Sequence, residues 1–307
     1  MTKPLHIVLT GGTGFVGSAT LDQLIGAGHA VRALVRRPQA ERESVEWIAG
    51  DIGDRDAIGR LVDGAHAVIH CAGVVNAPDR DTFERVNVQG TATLVAACEA
   101  AGVPRFVHVS SLAAREPKLS AYGTSKARGD RVVATSKRDW TVVRPPAIYG
   151  PGDMEMLELF RMAARGVMLL PPRGRMSVVH VEDLARLLVS LLPSSAAVSH
   201  RMFEPDDGTE GGWSTRTFGK AVGLALDKEI TALEMPRPVL RMAAGADGLV
   251  RGSKAKLTPD RVNYFSHPDW TVSSHRRPPR DLWQPRIPTR QGLRDTARWY
   301  RTNQLLR

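Results

Sequence analysis

The sequence predicts an α/β protein whose first half forms a doubly wound parallel sheet. Short apolar runs alternate with helical patterns through residues 1–150, which is the pattern of repeated β-α-β units. The runs show little polar alternation, as expected for strands that are buried on both faces. A glycine-rich turn follows the first run, at residues 11–17. Together these observations predict a Rossmann-type fold with a smaller C-terminal substrate lobe.

The apolar runs place six strands in this first region. They cover residues 6–9, 30–35, 45–48, 67–70, 105–109 and 140–144, and helical periodicity is clearest at 19–27, 154–165 and 183–192. After Gly150 the density of proline and glycine rises, and beyond Pro205 turn-forming clusters become frequent. We therefore expect a Rossmann domain at residues 1–150, completed by about 176–205. Residues 151–307 should form mainly the substrate-binding lobe.

Three glycines at the first turn predict a nucleotide site. Gly11, Gly14 and Gly17 follow a strand and open a helix with the spacing G-x-x-G-x-x-G. Glycine permits a tight turn, close approach of the backbone to a pyrophosphate and close packing of the helix on the strand. Free N–H groups at the start of the helix then attract phosphate. Strand, glycines and helix in this order predict that the domain binds NAD or NADP.

The end of the second strand predicts which cofactor is preferred. An acidic residue at this point, about 20 residues after the glycines, would bind the ribose 2′-hydroxyl and favour NAD. The chain instead reads Val35-Arg36-Arg37, and arginine pairs bidentately with phosphate. We therefore expect Arg36 to bind the 2′-phosphate of NADP, with NAD as the weaker cofactor. The alternative is that both arginines are solvated loop residues.

A serine, a tyrosine and a lysine form the candidate catalytic set. Ser111 follows the fifth strand, and Tyr122 and Lys126 come next with the spacing Y-x-x-x-K. Residues four apart share one face of a helix, so the phenol and the ammonium project the same way. A nearby ammonium lowers the pKa of a phenol, which can then exchange a proton near neutral pH. The serine hydroxyl can hydrogen-bond to a substrate oxygen.

These motifs together resemble the extended short-chain dehydrogenases/reductases, the NAD-dependent epimerase/dehydratase group. The resemblance covers essentially the whole chain and is clearest over the first 185 residues. It implies that Tyr122 is the acid/base, that Lys126 binds the nicotinamide ribose and tunes Tyr122, and that Ser111 polarises the carbonyl. It also implies further cofactor contacts: Phe15 and Val16 along the cofactor, Asp51 and Ile52 at the adenine, Ala72 and Gly73 at the ribose, Asn87 near the cofactor and Pro146 at the nicotinamide.

Departures from the sugar-nucleotide members favour a different substrate. Ala147 stands where the epimerases usually carry an asparagine for the substrate diphosphate, and Leu112-Ala113-Ala114 lacks the carboxylates that the 4,6-dehydratases need. The leading hypothesis is hydride transfer to or from a carbonyl or alcohol of a small molecule. The alternatives are a sugar-nucleotide epimerase and a non-catalytic assembly subunit that keeps the cofactor pocket. Residues 179–183 resemble a motif of the same family that opens a later helix. Its His180 and Asp183 are expected to cap and pack rather than to catalyse.

Composition limits the partners and the location. The formal net charge is +10, and arginine is dense between residues 271 and 307, which indicates a solvated basic surface or one that attracts an anion or a membrane. No nucleic-acid-binding motif and no stretch long enough to span a membrane is visible. Cys71 and Cys98 lie in apolar stretches and are expected to be reduced core residues, with no metal site. The expected location is cytoplasmic, and the family tends to form homodimers.

Overall fold

The computed structural model describes residues 4–252 and 258–306, and these fold into two compact units. The first unit contains the chain up to Pro145 together with Leu184–Glu204 and Pro278–Trp283. The second contains Pro146–Asp183 and the other described residues beyond Glu204. Within the described residues, no helix combines the length and the apolar content needed to cross a bilayer.

A parallel sheet, with seven strands in the described part of the chain, organises the first unit. Its strands are β1 (His6–Thr10), β2 (Ala30–Val35), β3 (Val45–Ala49), β4 (Ala67–His70), β5 (Arg105–Val109), β6 (Asp139–Val143) and β11 (Arg201–Phe203). They lie in the order β11-β6-β5-β4-β1-β2-β3, so the winding direction reverses after β3. The predicted Rossmann-type fold is confirmed, and the six strands expected from the sequence match β1 to β6 to within one residue.

Helices cover the sheet of the first unit. They are α1 (Phe15–Gly26), α2 (Arg55–Val62), α3 (Arg80–Phe83), α4 (Gly90–Ala100), α5 (Ala121–Ala134) and most of α7 (Val181–Ser190). A π-helical turn at Glu84–Gln89 joins α3 to α4, and 3₁₀ turns occupy Leu112–Arg115 and Pro117–Leu119. Buried aliphatic side chains such as Ile58, Leu61 and Leu94 fill the layer between helices and sheet.

Helix α1 begins earlier than the sequence predicts. The periodic pattern indicated a start near residue 19, whereas α1 begins at Phe15. Gly14 and Gly17 have low helix propensity, which masked the first turn. Gly17 is nevertheless buried inside this turn, because the helix packs closely on the glycine loop there.

The second unit combines short strands with helices around its own core. The strands are β7 (Ala147–Tyr149), β8 (Val167–Leu170), β9 (Arg175–Met176), β10 (Val178–His180), β12 (Trp213–Ser214), β13 (Thr231–Glu234) and β14 (Asp269–Trp270). The helices are α6 (Leu157–Ala164), α8 (Thr215–Leu224), α9 (Arg237–Arg251), α10 (Pro259–Phe265) and α11 (Thr289–Thr302). Tyr149, Phe160 and Tyr300 are buried at the centre of this core.

Two predicted helices have different bounds in the structure. Helix α6 begins at Leu157 rather than at 154, because the carboxylate of Asp153 accepts the backbone N–H groups of Glu155 and Met156 and forms a turn. Helix α7 begins at Val181, directly after β10, and ends at Ser190 rather than at 192.

Candidate functional site

The glycine turn between β1 and α1 has the geometry that the spacing predicts. Gly11 has φ +74°, and a Cβ atom there would lie 2.8 Å from the backbone nitrogen of Ala72. At Gly17 a Cβ atom would lie only 1.9 Å from the carbonyl oxygen of Gly11. The N–H of Gly14 donates to that same oxygen at 2.9 Å. A side chain at Gly11 or Gly17 would therefore force the backbone of the turn to move.

The start of α1 fits a phosphate-bearing cofactor. Gly14 is the N-cap residue and supplies no side-chain hydrogen bond to the first turn, which also carries no acidic residue. The positive end of the helix dipole is therefore available to an anion. Phe15 and Val16 are partly exposed beside this end. These features suit the pyrophosphate of NAD(P), and we take this turn as the candidate cofactor cradle.

Arg36 and Arg37 follow the last residue of β2 and are exposed. Neither has a carboxylate partner among the described residues, so neither guanidinium is committed to an ion pair.

The two residues predicted to lie at the adenine, Asp51 and Ile52, differ in exposure. Asp51 is exposed and accepts the N–H of Gly53 at 3.0 Å, whereas Ile52 is buried in the core. Only Asp51 of that pair offers a polar group to a ligand.

The loop after β4 is held in place by Thr10, at the end of the neighbouring strand β1. Thr10 Oγ1 lies 2.6 Å from His70 Nδ1 and accepts the N–H of Ala72 at 3.2 Å. A Cβ atom at Gly73 would lie 3.1 Å from Asn87 Oδ1. The glycine therefore allows this loop to pass close to Asn87.

The two cysteines occupy different environments. Cys98 is buried in the core as predicted, whereas Cys71, directly after β4, keeps some exposed surface and lies at the margin of the core. A strand end carries the chain to the edge of the sheet, and apolar neighbours in the sequence do not reveal that. Both thiols are free, and burial raises the pKa of each to about 12.

Asn87 connects the β4 loop to α5. Its Oδ1 accepts the N–H of Val74 at 2.8 Å, and its Nδ2 donates to the Val74 carbonyl and to Ser125 Oγ, each at 2.9 Å. Both amide protons are thereby used within the protein. Asn87 lies in the π-helical turn, a distortion that often marks functional sites. The sequence pointed to Asn87 through the family resemblance, but it gave no sign of Ser125 or of the π-helical turn.

The N-terminus of α5 is pressed against the segment that follows Ser111. Ser120 caps the helix by accepting the N–H of Gly123 at 2.9 Å. A Cβ atom at Gly123 would lie 2.8 Å from the carbonyl oxygen of Ala113. Ser111 is the N-cap of the 3₁₀ turn Leu112–Arg115, and its Oγ accepts the N–H of Ala113 at 3.2 Å. The structure therefore brings the first turn of α5 next to the segment of Ser111.

Tyr122 and Lys126 lie one turn apart on α5, as the spacing predicts. The Tyr122 ring packs on Phe83 with the ring centroids 6.1 Å apart. Lys126 is buried, and its Nζ donates to the carbonyl of Val109 at 2.9 Å, at the end of β5. Burial lowers the pKa of the Lys126 ammonium to about 8, against the opposing charge of Asp130, which acts to raise it. Lys126 is therefore a buried amine whose pKa lies well below that of a solvated lysine.

A buried cluster of ionisable side chains, Asp130, His108 and Arg144, lies next to Lys126 and was not predicted from the sequence. Arg144 Nε donates to Asp130 Oδ2 at 2.8 Å, and His108 Nε2 lies 3.5 Å from Asp130 Oδ1. Burial acts to raise the pKa of the Asp130 carboxyl, but His108 and Arg144 outweigh that effect and hold the pKa below its usual range. Burial lowers the pKa of His108. The signal in the sequence was the position of Asp130, one helical turn after Lys126.

The remaining predicted residues belong to the second unit. Pro146 directly precedes β7. The carboxylate of Asp183 accepts the backbone N–H groups of Arg286 and Ile287 at 3.0 Å. The ring of His180 packs edge-on against Tyr149, with the centroids 5.2 Å apart. His180 therefore packs on Tyr149 and accepts the N–H of Glu182 at the start of α7, and Asp183 ties down the segment before α11.

Comparison with known proteins identifies the family and the fold of this chain. The model of the NAD dependent epimerase/dehydratase family matches residues 7–204. Ceramide reductase from Caulobacter vibrioides is 36% identical, over 96% of this chain and 94% of that protein. The 2-alkyl-3-oxoalkanoate reductase from Stenotrophomonas maltophilia is 30% identical, over 65% of this chain and 70% of its own length. The structure of MoeE5 in complex with UDP-glucuronic acid and NAD is 20% identical, with a TM-score of 0.74 over 97% of this chain and 99% of that one, and shares the fold.

Proposed function

Because the chain belongs to the NAD-dependent epimerase/dehydratase family of NAD(P)-dependent enzymes, we propose that it is an NADP-preferring reductase of a lipid carbonyl. The observation that carries this proposal is the packing of α5 on the segment of Ser111, with Lys126 buried beside it at the end of β5. The name of the relative from Caulobacter vibrioides, ceramide reductase, supports a substrate with long acyl chains.

The roles proposed for the site residues follow from their chemistry. The cofactor, when bound, supplies the hydride. Ser111 would donate a hydrogen bond to the substrate carbonyl oxygen and hold it in place. Tyr122 would donate its phenolic proton to that oxygen as the hydride arrives at the carbon. The Lys126 ammonium would lower the pKa of the phenol and hold the nicotinamide ribose.

The cofactor contacts proposed for the first unit follow the same logic. Gly11, Gly14 and Gly17 leave room for the pyrophosphate at the start of α1. Phe15 and Val16 would lie along the cofactor beside this turn. Arg36 would pair with the 2′-phosphate, because it is exposed and free of a carboxylate partner among the described residues. This pairing is the reason for proposing NADP over NAD.

Further contacts are proposed from the family resemblance and from position. Asp51 would approach the adenine, with Ile52 supporting the loop from the core. Ala72 and Gly73 would pass the ribose. Pro146 would line the nicotinamide. Asn87 would act indirectly, because its amide holds Val74 and Ser125.

A direct assay tests the reductase proposal against the epimerase alternative. The protein is incubated with NADPH and a panel of long-chain ketones, and the absorbance of the reduced cofactor is followed. A parallel incubation with UDP-sugars is analysed for new isomers. Consumption of NADPH in step with alcohol formation is the expected result. Isomerised sugar nucleotide without net consumption of the cofactor would refute the proposal, and no reaction with either panel would favour a non-catalytic subunit.

A further inference from the structure

Helix α9 carries an exposed apolar stripe that runs along its whole length. Val239, Met242, Ala246, Leu249 and Val250 recur at helical spacing, and at 3.6 residues per turn they fall within about 120° of arc. Met242 is 76% exposed, Leu249 91% and Val250 83%. In a water-exposed helix such a stripe is normally turned toward a core. Here it is the outer face of the helix.

The opposite side of α9 already has its partner. Ala244 is buried, and α9 packs on α10. Arg237 donates to the carbonyl of Ser266 just after α10, which fixes the start of α9. The stripe is therefore displayed by a helix that is anchored on its other side, and it does not contribute to the core of the second unit.

Charge indicates what covers the stripe. Helix α9 carries Arg237, Arg241 and Arg251 against a single acidic residue, Asp247, and the whole chain has a formal net charge of +10. Only Arg251 is neutralised within the helix, by an ion pair with Asp247. At 3.6 residues per turn these arginines fall on the side of α9 away from the stripe, and an apolar face backed by a basic one is typical of helices that lie in the interface of an anionic bilayer. Anionic lipid attracts basic residues that lie near its surface.

The size of the stripe argues against a second copy of the chain. A helix of 15 residues is about 22 Å long, and a stripe about 10 Å wide covers on the order of 200 Å². A stable protein interface buries about 800 Å² on each partner. A contact between two copies of this stripe would also bring like charges together. A lipid surface needs no matching shape and supplies the opposite charge.

We propose that α9 is an interfacial helix that docks the protein on an anionic lipid bilayer. The stripe enters the boundary between headgroups and acyl chains, and Arg241 remains at the level of the headgroups. This goes beyond the proposed reductase activity and does not depend on it. If the substrate is a lipid carbonyl, docking would place the protein where that substrate resides.

The test uses the full-length protein and vesicles without any substrate. Vesicles of phosphatidylcholine, with and without phosphatidylglycerol, are floated through a density gradient with the protein. The protein should float with the anionic vesicles, and less so as the salt concentration rises. Met242→Glu and Leu249→Glu should each weaken this binding about tenfold or more, because each loses the burial of a large apolar side chain. Arg241→Gln should weaken it less.

Matched controls separate docking from general effects. Leu224→Glu changes another exposed apolar residue of the second unit, on α8, and Arg298→Gln removes an exposed charge from α11. Neither should change vesicle binding. Thermal unfolding checks that every variant is folded. With a water-miscible ketone and no vesicles, the α9 variants should keep the wild-type kcat/KM.

Three outcomes would overturn the proposal. The first is equal binding of wild type and Leu249→Glu to anionic vesicles. The second is a wild-type dimer that Leu249→Glu dissociates while vesicles capture neither, which would make the stripe a contact between copies. The third is no flotation of the wild type at low salt. Failure of the reductase assay with retained flotation would refute the proposed function alone.

Discussion

The nucleotide end and the candidate catalytic end of the first unit both contain closely packed glycines, but only the glycines of the nucleotide end could be found by motif. At the nucleotide end, Gly11 and Gly17 lie six residues apart, and the clash that a side chain would cause is local. At the catalytic end, Gly123 faces the carbonyl of Ala113 and Gly129 faces the carbonyl of Asn87, each with a would-be Cβ distance of 2.8 Å. A spacing rule captures local contacts. Contacts between separate segments become visible only in the folded chain.

This contrast predicts different failures at the two ends. Substitutions in the glycine turn should damage cofactor binding, whereas substitutions at Tyr122 and Gly123 on α5 should damage turnover with binding retained.

The largest effect should come from Tyr122→Phe. The variant keeps the ring that packs on Phe83 and loses only the hydroxyl. Loss of a general acid typically costs 10²- to 10⁴-fold in rate, so kcat should fall by about that factor. The Kd for NADPH, measured by fluorescence quenching, should stay within about twofold of the wild type, a free-energy change of roughly 0.4 kcal/mol. Normal turnover on the true substrate would exclude Tyr122 as the acid.

Gly17→Ala should have the next largest effect, on binding rather than on chemistry. The added methyl group would lie 1.9 Å from the Gly11 carbonyl oxygen, so the turn must open. We expect the Kd for NADPH to rise by about tenfold or more, equivalent to at least about 1.4 kcal/mol. Gly26→Ala is the matched control on the same helix, because no atom lies within 4 Å of its would-be Cβ. If both variants bind NADPH equally well, the turn is not the cradle.

Gly123→Ala should affect turnover with cofactor binding retained. Alanine is a better helix former than glycine, so α5 itself gains stability. The methyl group, however, meets the Ala113 carbonyl at 2.8 Å and pushes Tyr122 away from the segment of Ser111. A misplacement of about 1 Å can cost on the order of 10²-fold in rate. Gly59→Ala on α2, which has open space, is the control, and a Gly123→Ala enzyme with unchanged kcat would contradict the role given to this contact.

Arg36→Asp should reverse the cofactor preference. The carboxylate repels a 2′-phosphate and accepts a hydrogen bond from a 2′-hydroxyl. Titration of both cofactors should show NADP binding weakened by about tenfold or more, or about 1.4 kcal/mol, with NAD binding kept or improved. A wild type that already prefers NAD by tenfold would make the interpretation of Arg36 wrong.

The smallest effect should be on the pH profile. The pKa of Lys126 is about 8, so its positive charge is present below that pH and is lost above it. We expect kcat/KM for reduction to decline above pH 8. Asp130→Asn removes a negative charge that acts to raise this pKa, so the decline should move to lower pH. Asp130→Glu restores the charge and should move the decline back, a recovery that a purely structural role would not produce.

The sequence predicted the sheet well because each strand is a continuous apolar run between turns, and β1 to β6 follow these runs closely. Strand β11 was missed because Arg201–Phe203 is short and begins with an arginine. The family assignment was predicted from the glycines and from Ser111, Tyr122 and Lys126, and the comparisons confirm it.

The contacts that hold the site residues in place could not be predicted in the same way. Asp130 binds Arg144 across 14 positions and faces His108 across a longer interval, and no spacing rule joins such residues. Asn87 was expected to touch the cofactor region, yet its side chain holds Val74 and Ser125. In both cases the partners are set by how separate segments pack, and that information is distributed over the whole fold.

The fate of the hydride tests the central claim most directly. The protein is given NADPH that carries deuterium at the transferred position, together with a long-chain ketone, and the products are analysed by mass spectrometry. The account predicts an alcohol that contains the deuterium, formed in equal amount to the NADP produced, and formed about 10²- to 10⁴-fold more slowly by Tyr122→Phe. Labelled NADPH left unconsumed with the ketone unchanged, while the same protein supplied with NAD and a UDP-sugar forms the isomer of that sugar, would contradict it.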